Sequence, residues 1–251
     1  MSMGERTIRE VLKRRSEDTL RVLRQQRSAK TSGLHRRTRG LRNLLIVIVL
    51  IIAALLAYSG WLVNQAINRF AADRAANLTS GNNVTLELHS ARQFLPDTLL
   101  AATDPNFYGT GNLNVSQVTQ RLVRIYFPDS PGVTADLMAI ALQYTYSRTD
   151  ILQNFINEVP VGLDQDRPVY GFAAAGQVYF KKPFGQLQPQ DIALLVALAT
   201  APASLDPRRD PARALTLRNG VLQRDVEQQV LNQAQANLLK KTPLDLASGS
   251  S

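Results

Sequence analysis

Thiol chemistry is closed to this chain, which has no cysteine, and imidazole chemistry is nearly so, because its two histidines, His35 and His89, stand 54 positions apart. A disulfide scaffold, a Cys-ligated zinc or iron–sulfur centre and a thiol nucleophile are therefore excluded. Neither histidine belongs to a ligand-spaced cluster, so a His-held metal and a Ser-His-Asp triad lack support as well. No metal and no other cofactor is implied. Proton transfer must then rest on carboxylates. Glutamate occurs only at Glu5, Glu10, Glu17, Glu87, Glu158 and Glu227. Among the aspartates, Asp104 precedes Pro105 and reads as a turn or cap residue, while Asp136 stands near the start of an apolar helical stretch. Arg124 can meet phosphate oxygens through a bidentate guanidinium, and Ser116 and Gln120 are polar residues at helical spacing.

The elements that must hold these groups begin with a membrane anchor. Residues 1–43 carry 13 Lys or Arg against 4 acids, the whole of the +9 net charge, and residues 44–251 carry 16 of each. The basic segment has no Phe, Tyr or Trp to stack on bases and runs into an apolar span, which fits a membrane-facing tail and not a nucleic-acid arm. Leu44 to Val63 is 20 residues without a charge, about 30 Å as a helix, the thickness of a bilayer's hydrocarbon core. Tyr58 and Trp61 lie near its far end and Arg36, Arg37, Arg39 and Arg42 crowd its near end. The positive-inside rule puts the N-terminus in the cytoplasm and residues 64–251 outside. Ala54, Ala57 and Ser59 offer small residues for a signal peptidase, but the long span and long basic prelude favour an uncleaved single-pass anchor. Ile8, Val11, Leu12, Leu20 and Leu23 give the tail a partial helical stripe, read as a solvated tail attracted to anionic lipid.

The pattern divides the chain into a basic cytoplasmic tail (1–43), a transmembrane helix (44–63), a polar linker (64–90), a folded domain (91–240) and a flexible C-terminus (241–251). Within the domain, residues 134–145 place Leu137, Ile140, Ala141 and Tyr144 on one helical face. Asp150 opens one helix, Pro189 and Asp191 another that stops before Pro202, and a third runs from about Pro211 through Arg224 with a polar helix to Leu239 after it. Alternating strand patterns are scarce, so the domain is expected to be mainly α.

Within that frame the run YSRTDILQNFINEVPVGL, then VYGFAAAGQVYF, then PQDIALLVALATAPASLDPRRDPARALTLRNGVL, between Tyr146 and Gln223, resembles the second half of the family 51 glycosyltransferase domain, the peptidoglycan polymerase of class A penicillin-binding proteins. Upstream, LPDTLLAATDPNFY and SQVTQRLVRIYF resemble its opening segment and second motif. The resemblance covers about residues 93–226 and implies a mainly α, lysozyme-like glycosyltransferase domain at the outer membrane leaflet behind a single N-terminal transmembrane helix. It also implies a lipid-linked disaccharide as the substrate class.

The same resemblance exposes gaps. The family's first motif has a Glu-Asp pair three positions before a Phe, the Glu being the base. Here Thr103-Asp104 precede Phe107, and Thr110 and Asn112 take the places of a His and a Gly. The second motif keeps Ser116, Thr119, Gln120 and Leu122, with Arg124 where a Lys is usual; with Arg148 these are the implied substrate-binding residues. The third motif's basic pair falls near Pro131 and Gly132 and its Glu on Ala135, leaving Asp136, one residue along, and Asp104 as weak candidate acids. Thr103 and Ala135 are expected to face one cleft. An apolar, mobile segment of about twenty residues usually separates the first two motifs, whereas Phe107 and Thr119 are twelve apart. Arg148, Asn157, Gly162, Gly171, Phe172, Ala174 and Tyr179, and the group Pro202, Pro207, Arg208, Pro211, Arg218 and Asn219, match the family's scaffold.

The sequence thus points to a membrane-anchored, catalytically degenerate relative of the peptidoglycan glycosyltransferases that binds lipid-linked glycan or acts as a scaffold with other cell-wall synthesis proteins. The alternative is an active transferase using Asp104 or Asp136, and a lysozyme-like hydrolase meets the same shortage of acids. No Ser-x-x-Lys transpeptidase set is present, so crosslinking is expected to fall to another chain.

Overall fold

The computed structural model describes residues 21, 43–72, 86–89, 94–109, 114–201 and 205–247. Most of the basic tail, including Arg36, Arg37, Arg39 and Arg42, lies outside these, as do Thr110, Asn112, Pro202 and the last four residues. The chain divides into two compact units, 1–59 and 60–251. Helix α1, Asn43–Ala72, has 30 residues and is long and apolar enough to cross a membrane, with Leu44 to Leu56 presenting their apolar side chains outward.

Past Val63, where a polar linker was expected, the helix continues to Ala72. The reason is a second periodicity: Leu62, Ala66 and Phe70, four residues apart, are buried in the core of the second unit, one stripe of a helix. The Phe70 ring lies 4.1 Å from that of Tyr146, whose hydroxyl donates to the Ile67 carbonyl at 3.3 Å.

The second unit is mainly helical: α2 (Phe94–Thr103), α3 (Gln117–Tyr126), α4 (Gly132–Thr145), α5 (Arg148–Glu158), α6 (Phe172–Phe180), α7 (Pro189–Thr200), α8 (Pro211–Glu227) and α9 (Gln233–Lys241). A small antiparallel hairpin, β1 (Pro160–Asp164) and β2 (Arg167–Tyr170), interrupts the helices. Its two-residue loop, Gln165 and Asp166, takes positive φ at both positions, the turn whose twist matches paired strands. At Gly171, with φ of 79°, a Cβ would stand 2.6 Å from the Asn157 carbonyl oxygen, so only glycine fits there.

The centre of the unit is α7. From Ile192 to Ala199 every residue is buried, as a helix apolar on all faces requires, and it packs against α8, α2 and β1. Pro189 in its first turn and the Asp191 carboxylate, which accepts the Gln188 N–H at 3.0 Å, fix its start.

The face of α4 made by Leu137, Ile140, Ala141 and Tyr144 is not the core face: Leu137 is 41% and Tyr144 60% exposed, and the helix buries Ala135, Met138, Ala139, Leu142 and Gln143 instead. Residues 134–145 are apolar nearly all round, so periodicity alone does not choose a side. The small Ala135 and Ala139 belong to the face that packs.

Candidate functional site

Four helix segments line an open pocket of about 360 Å³: the end of α2, the start of α3, the end of α7 and the middle of α8, with Gln117, Thr216 and Arg224 exposed at its mouth. Its polar lining is Thr103, Gln117, Arg121, Thr200, Thr216 and Arg224, with Ala197, Leu217, Gly220 and Val221 among the rest, and among the described residues it includes no carboxylate and no histidine. Helical spacing explains who reaches it. Helix α3 buries Val118, Thr119, Leu122 and Val123, which turns Gln117 and Arg121, four apart, to the other side. On α8, Leu217, Gly220, Val221 and Arg224 follow the same i, i+3, i+4, i+7 rule.

The cavity is cationic. Among the described residues, no ion pair involves Arg121 or Arg224. Burial lowers the Arg121 pKa from its ordinary value, the direction in which an enclosed cation gains from an anionic ligand. The three threonine hydroxyls are already donors: Thr103 to the Leu99 carbonyl at 2.6 Å, Thr200 to Val196 at 3.0 Å and Thr216 to Ala212 at 3.0 Å. They keep oxygen lone pairs and so accept bonds from hydroxyls, whereas the guanidinium groups and the Gln117 amide are what the cavity can donate. An anion bearing a polyhydroxylated group matches that division.

Of the residues expected from sequence, only Thr103 lies in the lining. Asp104 is 6% exposed, and its Oδ2 accepts the Gln117 N–H at 2.8 Å, joining the end of α2 to the start of α3. Asp136 is exposed on α4, and Ala135 is buried in the core and does not share the cavity with Thr103. Ser116 caps α3, its Oγ accepting the Thr119 N–H at 3.0 Å and lying 2.7 Å from the Thr119 hydroxyl; both side chains are buried. Gln120 is half-buried and Arg124 exposed, and neither lines the cavity. Arg148 donates to Gln143 Oε1 at 2.8 Å, the atom that also accepts the Ser116 N–H at 2.8 Å, and its guanidinium lies 5.4 Å from the Phe107 ring centre. These residues brace the junction of α2, α3 and α5.

The closing segment is scaffold in the same sense. Arg208 pairs with Asp164 and, at 3.2 Å, with Asp206, its guanidinium 5.5 Å from the Tyr179 ring centre. Arg218, 1% exposed, donates to the carbonyls of Thr242 at 2.7 Å and Lys240 at 3.1 Å, satisfying orphan groups at the end of α9.

Gln117, Arg121, Thr200, Thr216 and Arg224 are the polar lining residues that the motif reading passed over. For the first two a signal was present: α3 is strongly amphipathic, and its polar side runs through positions 117, 121 and 124.

Residues 115–226 match the family model described as Transglycosylase. The chain is similar to penicillin-binding protein 1B of Haemophilus influenzae, 28% identical over 203 residues covering 70% of this chain and 26% of that one. It is 30% identical over 175 residues to penicillin-binding protein 1B of Escherichia coli, covering 60% and 21%. With penicillin-binding protein 1A of Aquifex aeolicus it shares 36% over 134 residues, covering 51% and 18%. The crystal structure of penicillin-binding protein 1A from Haemophilus influenzae aligns with 66% of this chain and 18% of that one, at 20% identity and a TM-score of 0.45. These alignments span about a quarter or less of each relative's length.

Proposed function

Because the chain carries a glycosyltransferase family 51 domain, we propose that it is a membrane-anchored, catalytically degenerate member that binds diphosphate-linked glycan without polymerising it and serves as a scaffold for other cell-wall synthesis proteins. The observation that carries this reading is Thr103. It stands where the family's first motif has its base, and it lines a cationic cavity whose lining, among the described residues, includes no acid.

Polymerisation needs a proton acceptor for the attacking hydroxyl and cations for the departing diphosphate. The cavity supplies the second requirement through Arg121 and Arg224 and not the first. Asp104 and Asp136, the acids of the alternative active reading, face elsewhere: one is spent on the Gln117 N–H and the other is exposed on α4. Binding survives this loss, because charge-assisted hydrogen bonds from guanidinium to phosphate do not depend on a base. The apolar anchor and the cluster of arginines before it support a location of the domain outside the cytoplasmic membrane, next to a lipid-linked ligand.

The test is binding of the lipid-linked disaccharide to the full-length protein in detergent. Arg121→Ala and Arg224→Ala are each expected to weaken it about tenfold, as loss of a charge-assisted contact does, while Arg124→Ala leaves it unchanged. Equal affinity in all four proteins would remove the cavity from the account.

A further inference from the structure

Asp225 is fully buried on α8, between the cavity-lining Arg224 and the end of the helix. Its Oδ2 accepts from the Thr98 hydroxyl of α2 at 3.1 Å, and among the described residues its Oδ1 has no hydrogen-bond partner. Thr98 is itself fully buried. A carboxyl with one oxygen orphaned is costly to bury as an ion and far cheaper as a neutral acid. The two helices that meet at this contact both line the cavity, α2 through Ala102 and Thr103 and α8 through Thr216, Leu217, Gly220, Val221 and Arg224.

We propose that the Asp225–Thr98 contact is a proton-sensitive joint: with Asp225 protonated, α2 and α8 stay closed on each other, and its ionisation parts them and disorganises the cavity wall they share. No surrounding element supplies a counter-charge among the described residues. From α2 the titratable neighbour is Asp97, a like charge, with Tyr108 beyond it coupled to Asp97. Helix α7, packed on both, contributes Asp191, which interacts with Lys182, Asp245 and Arg218. Helix α9 contributes Lys240, whose ammonium donates to Gln223 at 2.7 Å, and the exposed Lys241 beside it in the last turn. On α8 itself Arg224 is turned to the cavity and Glu227 is exposed.

Burial pushes the Asp225 carboxyl up to about 7 from an ordinary 3.8; the Thr98 hydrogen bond works against this and Asp97 adds to it. An open joint, where the acid returns to its ordinary value, is then favoured about thirty-fold more at pH 8.5 than at pH 5.5.

The experiment is hydrogen exchange on the full-length protein in detergent at pH 5.5 and 8.5, corrected for intrinsic exchange rates, with sulfate binding measured alongside. Sulfate stays a dianion over that range. The expected result is a loss of protection of ten- to thirty-fold at pH 8.5, confined to amides of α2 and α8 with α5 and α6 unchanged. Sulfate should bind more weakly at the higher pH, and both effects should be absent in Asp225→Leu and in the isosteric Asp225→Asn, which guards against a packing failure in the first. Protection independent of pH in the wild type, a loss spread evenly over the domain, or pH dependence retained in both variants overturns the joint. The sulfate arm rests on the cavity being an anion site: exchange behaving as expected with no sulfate bound at either pH supports the joint and counts against that site.

Discussion

Asp104 ties the end of α2 to the start of α3. Its carboxylate holds the Gln117 N–H, so Asp104→Ala is expected to cost about 1–2 kcal/mol and to lower the thermal midpoint while leaving ligand affinity within a factor of two; an unchanged midpoint would contradict the cap. Asp225 yields a prediction of opposite character. Its folded pKa is raised, from 3.8 to about 7, so its contribution to stability is complete below about pH 3.8 and is lost as pH rises through 7. Urea unfolding between pH 5 and 8 should show wild-type stability falling with pH and a flatter profile for Asp225→Asn, and parallel profiles would rule the contribution out. The turn-or-cap reading of Asp104 was available from the Asp-Pro dipeptide. That Asp225 is buried was not, because its burial is set by where α2 crosses α8, a long-range fact with no local signature.

At the scale of elements, helices were readable where the sequence carries a start signal. Asp150 in the first turn of α5, Pro189 and Asp191 in the first turn of α7, and Pro211 opening α8 are of this kind. Helix α4 had an apolar pattern on every side, so the face read from sequence is not the one that packs, and Leu137 and Tyr144 on it are exposed. The cavity was illegible for a related reason: it is built where four helix segments meet, and motif matching singled out Ser116, Thr119 and Gln120 on α3 when Gln117 and Arg121 line it. Helix α1 offers the element-scale prediction. If the arginines at 36, 37, 39 and 42 set its orientation, a periplasm-active reporter fused after Ser251 will be active and one fused at Met1 silent. Replacing the four arginines should weaken that preference, and the reverse pattern would invert the topology on which the proposed location rests.

For the whole molecule, the second unit is a helical domain ordered around a fully buried α7, with the last turns of α1 packed into its core through Leu62, Ala66 and Phe70. What the motif comparison implied about scaffold, at Gly162, Gly171, Tyr179, Arg208 and Arg218, corresponds to close backbone approaches, buried rings and buried hydrogen bonds, constraints that a domain keeps whether or not it turns over substrate. The central claim concerns what such a domain does without a base. General-base assistance is worth about 10²–10⁴ in rate, so the decisive measurement is polymerisation of the lipid-linked disaccharide by the purified full-length protein, followed by glycan chain length on gels. The account predicts no product above the no-enzyme background, and no change on Asp104→Asn or Asp136→Asn. Long glycan chains from the unmodified protein, abolished by either aspartate substitution, would contradict it and establish an active transferase.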